Sequence, residues 1–358
     1  MHKKLIKVVS VLSAIILLCG TASLAILDQH ELKFGKRIDT HFDYQGTTLG
    51  ASLLMPEGEG PFPVVIFIHG DGPADRFAHD GYVSIMNTFL AQGIACLSWD
   101  KAGVGQSSGN WLGQTMQDRA DEAVQALQLL KQNPSIIQDK IGAIGFSQGG
   151  WVLSQLAADN ADLNFMIAVG VAVNWQRQSE YLQRRRMQQS GFDNAQIEIV
   201  REYGRRMDQQ VFIPQRPYSD YLAYLENHPP PEGALAGPMS EARYQFVTQN
   251  IQVDMEAGLQ QLRIPFLGIF GEQDANVDVK ESINILRRTF SDSGHPDYRL
   301  ELIPNATHSL LRADTYNFQT SAEWSKIAQL SYLLEGSSAF AEGFLDLLAD
   351  WARAITAM

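Results

Sequence analysis

The sequence predicts an α/β protein with a mostly parallel sheet, helices on both faces and a helical insertion. Short continuous apolar runs recur along the chain, as is typical of strands that are buried on both faces. Segments with the spacing of amphipathic helices separate several of these runs. Strands that alternate with helices form a parallel sheet that is covered on both sides.

Eight strand-like runs follow one another along the chain. A turn with three prolines and two glycines, Pro56–Pro63, separates the first two runs from the rest. The later runs are almost entirely apolar, which indicates burial on both faces, except that the last one alternates. In order, the runs are Ile38–Tyr44, Thr48–Met55, Val64–Ile68, Ile94–Trp99, Ile141–Phe146, Phe165–Val173, Phe266–Phe270 and Tyr298–Ile303.

Two further stretches have the spacing of an amphipathic helix. Each carries apolar residues at intervals of three and four, which places them on one helix face. The first predicts a helix before the third buried run, and the second predicts a closing C-terminal helix. The residues are Ala120, Ala123, Val124, Leu127 and Leu130 in the first, and Phe340, Phe344, Leu347, Leu348 and Trp351 in the second.

The interval Asn174–Gly258 has no strand-like run and interrupts this alternation. Its first part is rich in Arg and Gln, and its middle, Asn227–Pro238, contains three consecutive prolines. It predicts a helical insertion with a proline-rich hinge that lies over one end of the sheet. The sequence thus predicts four segments: an N-terminal segment (1–27), a first part of the core (28–173), the insertion (174–258) and a second part of the core (259–358).

The N-terminal segment predicts export. Three lysines at positions 3, 4 and 7 precede the uncharged stretch Val8–Leu27, and small residues such as Ser23 and Ala25 offer cleavage sites. The stretch is also long enough to span a bilayer if it is not cut. We therefore expect a periplasmic or extracellular protein, or one that is anchored through residues 8–27 and faces outside the cytoplasm. Cleavage would leave Cys96, in a buried run, as the one remaining cysteine.

Composition narrows the classes of function. Hydrophobic residues make up 45% of the chain and charged residues 19%, which is typical of a globular protein with a substantial core. The formal net charge is −12. Because the chain has no overall basic field to hold phosphates, we do not expect a nucleic-acid partner.

Candidate functional residues follow the ends of the apolar runs, because open parallel sheets bind ligands at the carboxyl ends of their strands. These positions are His69–Gly72, Asp100-Lys101, Ser147-Gln148 and Gly271–Asp274, with His308 beyond the last run. They combine a serine, a histidine and several carboxylates. Such a set favours nucleophilic catalysis, because a serine hydroxyl needs a neighbouring base to become a nucleophile.

Ser147 is the expected nucleophile. Gly145–Gly149 matches G-x-S-x-G, in which a serine lies on a strained turn between a strand and a helix, and a side chain at either glycine would clash there. Gly105–Gly109 matches the same pattern around Ser107. Ser147 directly follows a strand and precedes a helix, whereas Ser107 lies in a glycine-rich loop, so we interpret Ser107 as a turn residue.

His308 is the expected base and Asp274 the expected acid. His308 lies in a short loop after the last strand, whereas the other histidines precede the sheet, structure a loop or have no nearby strand end. Asp274 follows the preceding strand, with Glu272 and Asp278 as alternatives for the same role. Along the chain the order is Ser, Asp, His, which is the order in hydrolases whose nucleophile lies on such a strand–turn–helix motif.

An oxyanion hole requires two backbone N–H groups that face the developing negative charge. Gln148, which follows the nucleophile, is expected to supply one. Asp71 or Gly72 is expected to supply the other, because Pro73 has no N–H. The carboxylate of Asp71 would then have to point away from the oxyanion, and we expect it to point towards Arg76.

Three ordered motifs together resemble those of the α/β-hydrolase superfamily, from about Ile38 to the C-terminus. The chain is most similar to bacterial exported serine esterases and to dienelactone-hydrolase-like and prolyl-peptidase-like proteins, which carry H-G-x-G-P, D-x-x-G-x-G-x-S-x-G and G-x-S-x-G. Here these motifs are His69–Pro73, Asp100–Gly109 and Gly145–Gly149. The resemblance implies a lid formed by the insertion, a structural role for Asp100–Gly109, and two-step acyl transfer from a small ester or acyl substrate. It implies no metal and no organic cofactor.

The motifs do not specify the substrate, because this fold supports many chemistries. A peptidase or amidase with the same triad is one alternative, and a thioesterase or acyltransferase is another. A non-catalytic binding module on the same fold is a third alternative, although such proteins usually lack a triad residue. The oligomeric state stays open.

The first part of the insertion is basic. Between Trp175 and Arg206 it has seven arginines and four acids. A solvated helix face with local ion pairs explains this pattern. The alternative hypothesis is that some arginines face the cleft and hold an anionic part of the substrate, a role that suits the guanidinium group. The arginines are Arg177, Arg184, Arg185, Arg186, Arg201, Arg205 and Arg206.

Overall fold

An eight-stranded sheet forms the centre of the computed structural model, which describes residues 29–234 and 237–357. The strand order is β1-β2-β4-β3-β5-β6-β7-β8. The β1–β2 and β2–β4 pairs are antiparallel, and the other pairs are parallel, which confirms the mostly parallel sheet. The strands are β1 Lys36–Tyr44, β2 Thr47–Met55, β3 Phe62–Ile68, β4 Ala95–Trp99, β5 Ile136–Phe146, β6 Phe165–Val169, β7 Phe266–Gly271 and β8 Tyr298–Ile303.

Helices connect the strands and cover the sheet. The first three α-helices are α1 Val83–Ala91, α2 Met116–Lys131 and α3 Gly149–Ala158. The insertion contributes α4 Trp175–Gln189, α5 Asn194–Met207, α6 Tyr218–Asn227, α7 Glu241–Asn250 and α8 Glu256–Leu259, and a π-helical turn Asp208–Phe212 follows α5. The second part of the core contributes α9 Val279–Asp292, α10 Ala313–Tyr316, α11 Lys326–Glu335 and α12 Phe344–Ala357.

Two hydrophobic cores lie on the two faces of the sheet. In β3, Val64 and Ile66 belong to one core, and Val65 and Phe67 belong to the other, because successive side chains of a strand point to opposite faces. Residues of α2, α3, α9 and the insertion complete the first core. Residues of α1 and α12 complete the second. This arrangement explains why the central runs are continuously apolar and confirms helices on both faces.

Several element boundaries differ from the expectation, and a glycine explains two of these differences. The run Phe165–Val173 is a strand only to Val169, because Gly170 adopts a φ of +60° and turns the chain out of the sheet. The C-terminal helix begins at Phe344 and does not include Phe340, since Gly343 with a φ of +82° directly precedes the helix. Phe340 is nevertheless buried in the same core as Phe344.

The insertion is helical, as expected, and the segment Asn227–Pro238 connects α6 to α7. Cys96 is buried and free, as expected. The predicted signal or anchor, residues 1–27, lies outside the described residues. Within the part of the chain that the structure describes, no helix is long and apolar enough to cross a membrane.

Candidate active site

Ser147 lies on a sharp turn between β5 and α3. Its φ of +50° is in the left-handed region, which is strained for a residue with a side chain. The turn is tight because a Cβ at Gly149 would lie 2.6 Å from the Ile68 carbonyl oxygen, and a Cβ at Gly145 would lie 2.8 Å from the Gly149 carbonyl oxygen. The structure therefore gives Ser147 the geometry that the G-x-S-x-G pattern predicts.

His308 and Asp274 form a hydrogen-bonded pair at the ends of β7 and β8. The His308 Nδ1 lies 2.7 Å from the Asp274 Oδ2, and the Asp274 side chain is fully buried. The other carboxylate oxygen, Oδ1, accepts hydrogen bonds from the backbone N–H groups of Asn276 (2.7 Å) and Val277 (2.9 Å). These bonds hold the carboxylate in one orientation towards the imidazole.

The two alternative acids are engaged elsewhere. Asp278 caps α9, where its Oδ1 accepts from the Glu281 N–H at 3.1 Å. The Glu272 carboxylate accepts from the Asn305 N–H at 3.3 Å. Neither has a hydrogen bond to His308, so Asp274 is the acid that the fold brings to the histidine.

The pair keeps the second imidazole nitrogen free for a proton. Because Nδ1 faces Asp274, it is the nitrogen that carries the hydrogen, and Nε2 is left with its lone pair. Burial alone would lower the pKa of His308, but the charge of Asp274 and its hydrogen bond outweigh burial and raise the pKa above its ordinary value. His308 is thus tuned to accept a proton.

Ser147 and His308 both lie beside the end of β6. The Ser147 N–H donates to the Val169 carbonyl at 2.9 Å, and a Cβ at the next residue, Gly170, would lie 3.3 Å from the His308 Nδ1. The hydrogen bonds of the described residues include none from the Ser147 hydroxyl. The third link of the expected triad, from the Ser147 hydroxyl to His308, is therefore not formed in this structure.

The loop that carries His308 approaches β7 very closely at Gly271. A Cβ at this position would lie 2.1 Å from the Thr307 carbonyl oxygen and 2.6 Å from that of Ala306. Because backbone atoms line this contact, no side chain can be accommodated without moving the loop. Gly271 therefore sets the separation at which Asp274 and His308 can pair.

Two buried cations hold the loop that contains Asp71. The Lys101 Nζ donates to the carbonyls of Gly70 (3.1 Å) and Gly72 (2.8 Å), and Arg119 donates to the carbonyl of His69 (2.5 Å). Both side chains are almost completely buried. These hydrogen bonds to the carbonyl oxygens fix the orientation of the peptide groups in the loop. The sequence analysis did not predict this role for Lys101 or Arg119.

This loop lies next to Ser147. A Cβ at Gly70 would lie 3.4 Å from the Ser147 Cβ. Arg119 also donates to the Gln148 Oε1 at 2.8 Å, so one guanidinium joins the loop to the residue that follows Ser147. In the sequence, the one signal that could have pointed to Arg119 is its position as a charged residue next to the apolar face of α2.

The expectation that Asp71 points towards Arg76 is wrong. Asp71 accepts two hydrogen bonds from Arg243 of α7, both 3.0 Å long, and one from the Gln148 Nε2 at 3.2 Å. Arg76 is instead buried against Asp100, with a 2.6 Å contact between the Arg76 Nη2 and the Asp100 Oδ2. A buried guanidinium needs a buried carboxylate, and Asp100 is the one that the loop after β4 provides.

Arg243 sets the charge state of Asp71. Partial burial would raise the pKa of the Asp71 carboxyl, but the hydrogen bonds and charge of Arg243 outweigh it, with help from Lys101 and the Gly72 N–H. The pKa therefore lies below its ordinary value. The backbone N–H groups of Asp71 and Gly72 lie in the same loop, and neither donates to a backbone carbonyl, so both stay candidates for the second oxyanion donor.

His69 and Ser107 have structural contacts. The His69 Nε2 lies 2.6 Å from the Trp99 carbonyl oxygen, and burial lowers the pKa of His69 to about 3. The Ser107 hydroxyl donates to the Asp100 carbonyl at 2.7 Å and accepts from the Gly50 N–H at 3.0 Å. These contacts agree with the interpretation of both as residues that shape loops.

The insertion contacts both halves of the candidate site. The Tyr181 hydroxyl of α4 donates to the Asp274 carbonyl at 3.0 Å, and Arg243 of α7 binds Asp71. Four of the seven arginines in α4 and α5 pair with carboxylates, which fits a solvated face with local ion pairs. These pairs are Arg177–Glu281, Arg184–Asp278, Arg201–Glu198 and Arg205–Glu180.

A protein-family model matches most of this chain. The family model described as X-Pro dipeptidyl-peptidase (S15 family) matches residues 45–309, which is more than half of the chain. This range includes all the candidate site residues. In the described part of the chain, no cluster of His, Cys, Asp and Glu side chains could hold a metal ion.

Curated relatives match a smaller part of the chain. It is 32% identical over 130 residues to esterase FrsA of Enterobacter sp. (strain 638), which is 36% of this chain and 30% of that protein. It is 34% identical over 112 residues to esterase FrsA of Salmonella newport (strain SL254), which is 31% of this chain and 26% of that protein. The matched region thus spans less than a third of the length of these relatives.

Solved structures resemble the whole fold. Est1E from Butyrivibrio proteoclasticus, solved with ferulic acid bound, has a TM-score of 0.53 at 18% identity, and the match covers 89% of this chain and 98% of Est1E. The esterase Pf2001 of Pyrococcus furiosus has a TM-score of 0.51 at 15% identity, with coverage of 76% and 84%. At these identities the likeness concerns the fold.

Proposed function

This chain belongs to the X-Pro dipeptidyl-peptidase (S15) family and is a serine hydrolase of the α/β-hydrolase fold, and from that premise we propose that it hydrolyses carboxylic esters. Ser147 is the nucleophile, His308 the general base and Asp274 the acid that orients the histidine. The observation that carries the proposal is the buried His308–Asp274 hydrogen bond, 2.7 Å long, beside the strained turn at Ser147.

Acylation begins when the Ser147 Oγ attacks the ester carbonyl carbon. The His308 Nε2 accepts the hydroxyl proton, and the negative charge of Asp274 stabilises the imidazolium that forms. The imidazolium then gives this proton to the departing alkoxide, which leaves as an alcohol. A water molecule repeats the sequence on the acyl-enzyme and releases a carboxylic acid.

The oxyanion of the tetrahedral intermediate is bound by the N–H group of Gln148 and by that of Asp71 or Gly72. None of these N–H groups donates to a backbone carbonyl of the described residues, and each belongs to a segment that contacts Ser147. Donors that are already oriented stabilise this charge without reorganisation during the reaction. The contacts of Lys101 and Arg119 with the loop support this role, because they bind the carbonyl oxygens of the loop, on the side opposite to the N–H groups.

The insertion is proposed to cover Ser147 and to shape the substrate pocket. Its contacts support this position, because Tyr181 reaches the loop that carries Asp274 and Arg243 reaches the loop His69–Pro73, called here the oxyanion loop. A cover that touches both loops excludes water from the developing charges and so strengthens their electrostatic stabilisation. It also limits the size of the acyl or alcohol group that can enter.

Hydrolysis of X-Pro peptides is the second candidate, and the family itself favours it. An enzyme that releases a dipeptide has to recognise the free α-ammonium group of its substrate, and a carboxylate is the natural partner for that cation. The nearest carboxylate of the oxyanion loop, Asp71, is already paired with Arg243. The guanidinium would repel an ammonium group, which supports a neutral ester instead.

A substrate panel separates the two candidates. We expect nitrophenyl esters of short acids to be hydrolysed with a kcat/KM at least tenfold above that of an Xaa-Pro-nitroanilide with a free N-terminus, a difference of about 1.4 kcal/mol. Ser147→Ala protein prepared in the same way reports contaminating activity. Faster turnover of the nitroanilide would show that the chain is a peptidase.

A further inference from the structure

Helix α11 carries an apolar stripe that faces away from the protein. Ile327, Leu330 and Leu334 are 76%, 56% and 47% exposed, and their spacing of three and four places them on one helix face. Leu333, beside this stripe, is 49% exposed. Half of the eight exposed large hydrophobic side chains of the described chain thus lie on one ten-residue helix.

The opposite side of α11 attaches the helix to the protein. Ala328 is buried, Tyr332 packs against Trp324 with ring centroids 5.3 Å apart, and Glu335 binds Arg312 at 2.8 Å. The orientation of the helix is therefore defined by aromatic and ionic contacts. Its apolar stripe stays outside as a consequence, although an amphipathic helix normally buries that stripe.

The N-terminal end of the described chain lies against the same helix. The His30 Nε2 is 2.9 Å from the Leu333 carbonyl oxygen, and the rings of His30 and Tyr332 are 5.9 Å apart. The Gln29 side chain approaches Gly336 so closely that a Cβ there would lie 2.6 Å from it. The uncharged stretch Val8–Leu27 ends two residues before Gln29.

We propose that the apolar stripe of α11 docks on a lipid bilayer, into which the stretch Val8–Leu27 inserts. Two extended residues reach about 7 Å, so a segment that leaves the bilayer at Leu27 brings α11 to the bilayer surface. The lysines at positions 3, 4 and 7 then stay on the cytoplasmic side, and the catalytic core lies outside. A surface helix with apolar side chains on one face binds to the interface between a lipid bilayer and water.

Docking would also orient the candidate active site, a consequence that rests on the proposed function. The segment between His308 and α11 contains Gln319, whose side chain donates to the Ala275 carbonyl next to Asp274 at 3.2 Å. Tyr316 of the same segment donates to Glu335 of α11 at 2.8 Å. The bilayer surface and the His308 loop are therefore connected through one compact segment, which suits esters that partition into lipid.

The test places a fluorescent label on the stripe of the full-length chain. Leu330→Cys in a Cys19→Ser background, with buried Cys96 unreactive, is labelled with an environment-sensitive fluorophore. Cell-free synthesis into phosphatidylcholine vesicles, at no more than one copy per vesicle, retains residues 1–27. Leu222→Cys, an exposed leucine of α6, is the matched control.

We expect the label at position 330 to shift to the blue and to be quenched by nitroxide-bearing lipids, while the label at position 222 does neither. Adding Ile327→Gln and Leu334→Gln should reduce the quenching at position 330 without loss of esterase activity. A label at position 330 that stays in water overturns the proposal. A blue shift without quenching also overturns the proposal, because the stripe would then be covered by protein and not by lipid. The covering protein would be the N-terminal segment itself, or a second copy of the chain if the shift appears only at higher protein density. Loss of esterase activity in every variant would concern the proposed function and would leave the quenching result intact.

Discussion

Ser147 and Ser107 share a sequence pattern but have different surroundings. Ser147 has a strained backbone next to the His308 loop, whereas the Ser107 hydroxyl bonds to the backbone of Asp100 and Gly50. We predict that Ser147→Ala abolishes ester hydrolysis and leaves the fold unchanged. Ser107→Ala should keep its activity and lose about 1 kcal/mol of unfolding free energy, because it loses backbone hydrogen bonds. Steady-state kinetics and urea unfolding measure both, and an inactive Ser107→Ala with an active Ser147→Ala would reverse the assignment.

The pH dependence of the reaction depends on one imidazole. His308 must be neutral to accept the serine proton, and its pKa is raised by Asp274 against the effect of burial. We predict that kcat/KM rises with pH through a pKa above the ordinary histidine value. In Asp274→Asn the charge and hydrogen bond that raise the pKa of His308 are lost, and the lowering effect of burial remains. The acidic limb of the kcat/KM–pH profile should therefore move to lower pH, while the maximal rate falls. A limb that does not move would indicate that another group controls it.

The raised pKa of His308 also makes the stability of the fold depend on pH, in the direction opposite to that of kcat/KM. Because the folded-state pKa of His308 is raised, the protonated pair stabilises the fold below the unfolded-state pKa of histidine. This contribution is lost as the pH rises through the folded-state pKa. The enzyme is therefore most active where this contribution is absent.

Lys101 is the buried cation whose removal tests the orientation of the oxyanion loop. We predict that Lys101→Met lowers kcat by roughly tenfold, less than the loss of an oxyanion donor itself, and changes KM little, because the loop stabilises mainly the transition state. Lys140→Met is the matched control, since the Lys140 Nζ also donates to a backbone carbonyl, that of Thr356. A rise in KM at constant kcat would place Lys101 in substrate binding instead.

At the level of elements, α7 and the oxyanion loop are joined by the Arg243–Asp71 pair. Both side chains are partly exposed, at 34% and 47%, so salt should screen the pair. We predict that Arg243→Gln lowers kcat/KM several-fold by releasing the insertion from the loop, and that high salt reproduces part of this loss in the unmodified enzyme.

The control for this prediction is Arg288→Gln, which removes an exposed ion pair with Glu256 on α8. Its kcat/KM should be unchanged at every salt concentration. If Arg243→Gln were as active as Arg288→Gln, the insertion would have no influence on the loop through this contact. An increase in activity would instead indicate that the pair restrains substrate entry.

At the level of the whole molecule, we expect the N-terminal segment, residues 1–27, to determine where the enzyme acts. The docking that we propose for α11 requires a chain that keeps this segment, with the catalytic core outside the cytoplasm. We predict that intact-mass measurement of the protein from the membrane fraction finds residues 1–27 present. A soluble product that begins between Thr21 and Ile26 would show that the segment is a cleaved signal.

The sequence by itself determined the succession of strands along the chain and the identity of Ser147, His308 and Asp274 as candidate residues. Strands buried on both faces are apolar throughout, and parallel strands bring their carboxyl ends to one edge, so a serine, an acid and a histidine after successive strands meet there. The choice between Ser147 and Ser107 also followed from local context. These inferences need only the period of a strand and the direction of the chain.

Only the tertiary structure decided which partners meet across the fold. Asp71 and Arg243 are 172 residues apart in sequence, and Arg76, which is nearer, is taken by Asp100. The same limit applies to Lys101 and Arg119, whose acceptors include backbone carbonyls that leave no trace in a sequence pattern. It applies also to α11, because the spacing of Ile327, Leu330 and Leu334 is the same whether the helix turns that face to the core or to solvent. Packing around Tyr332 and Glu335 fixes that orientation, and long-range packing is not encoded in any local period.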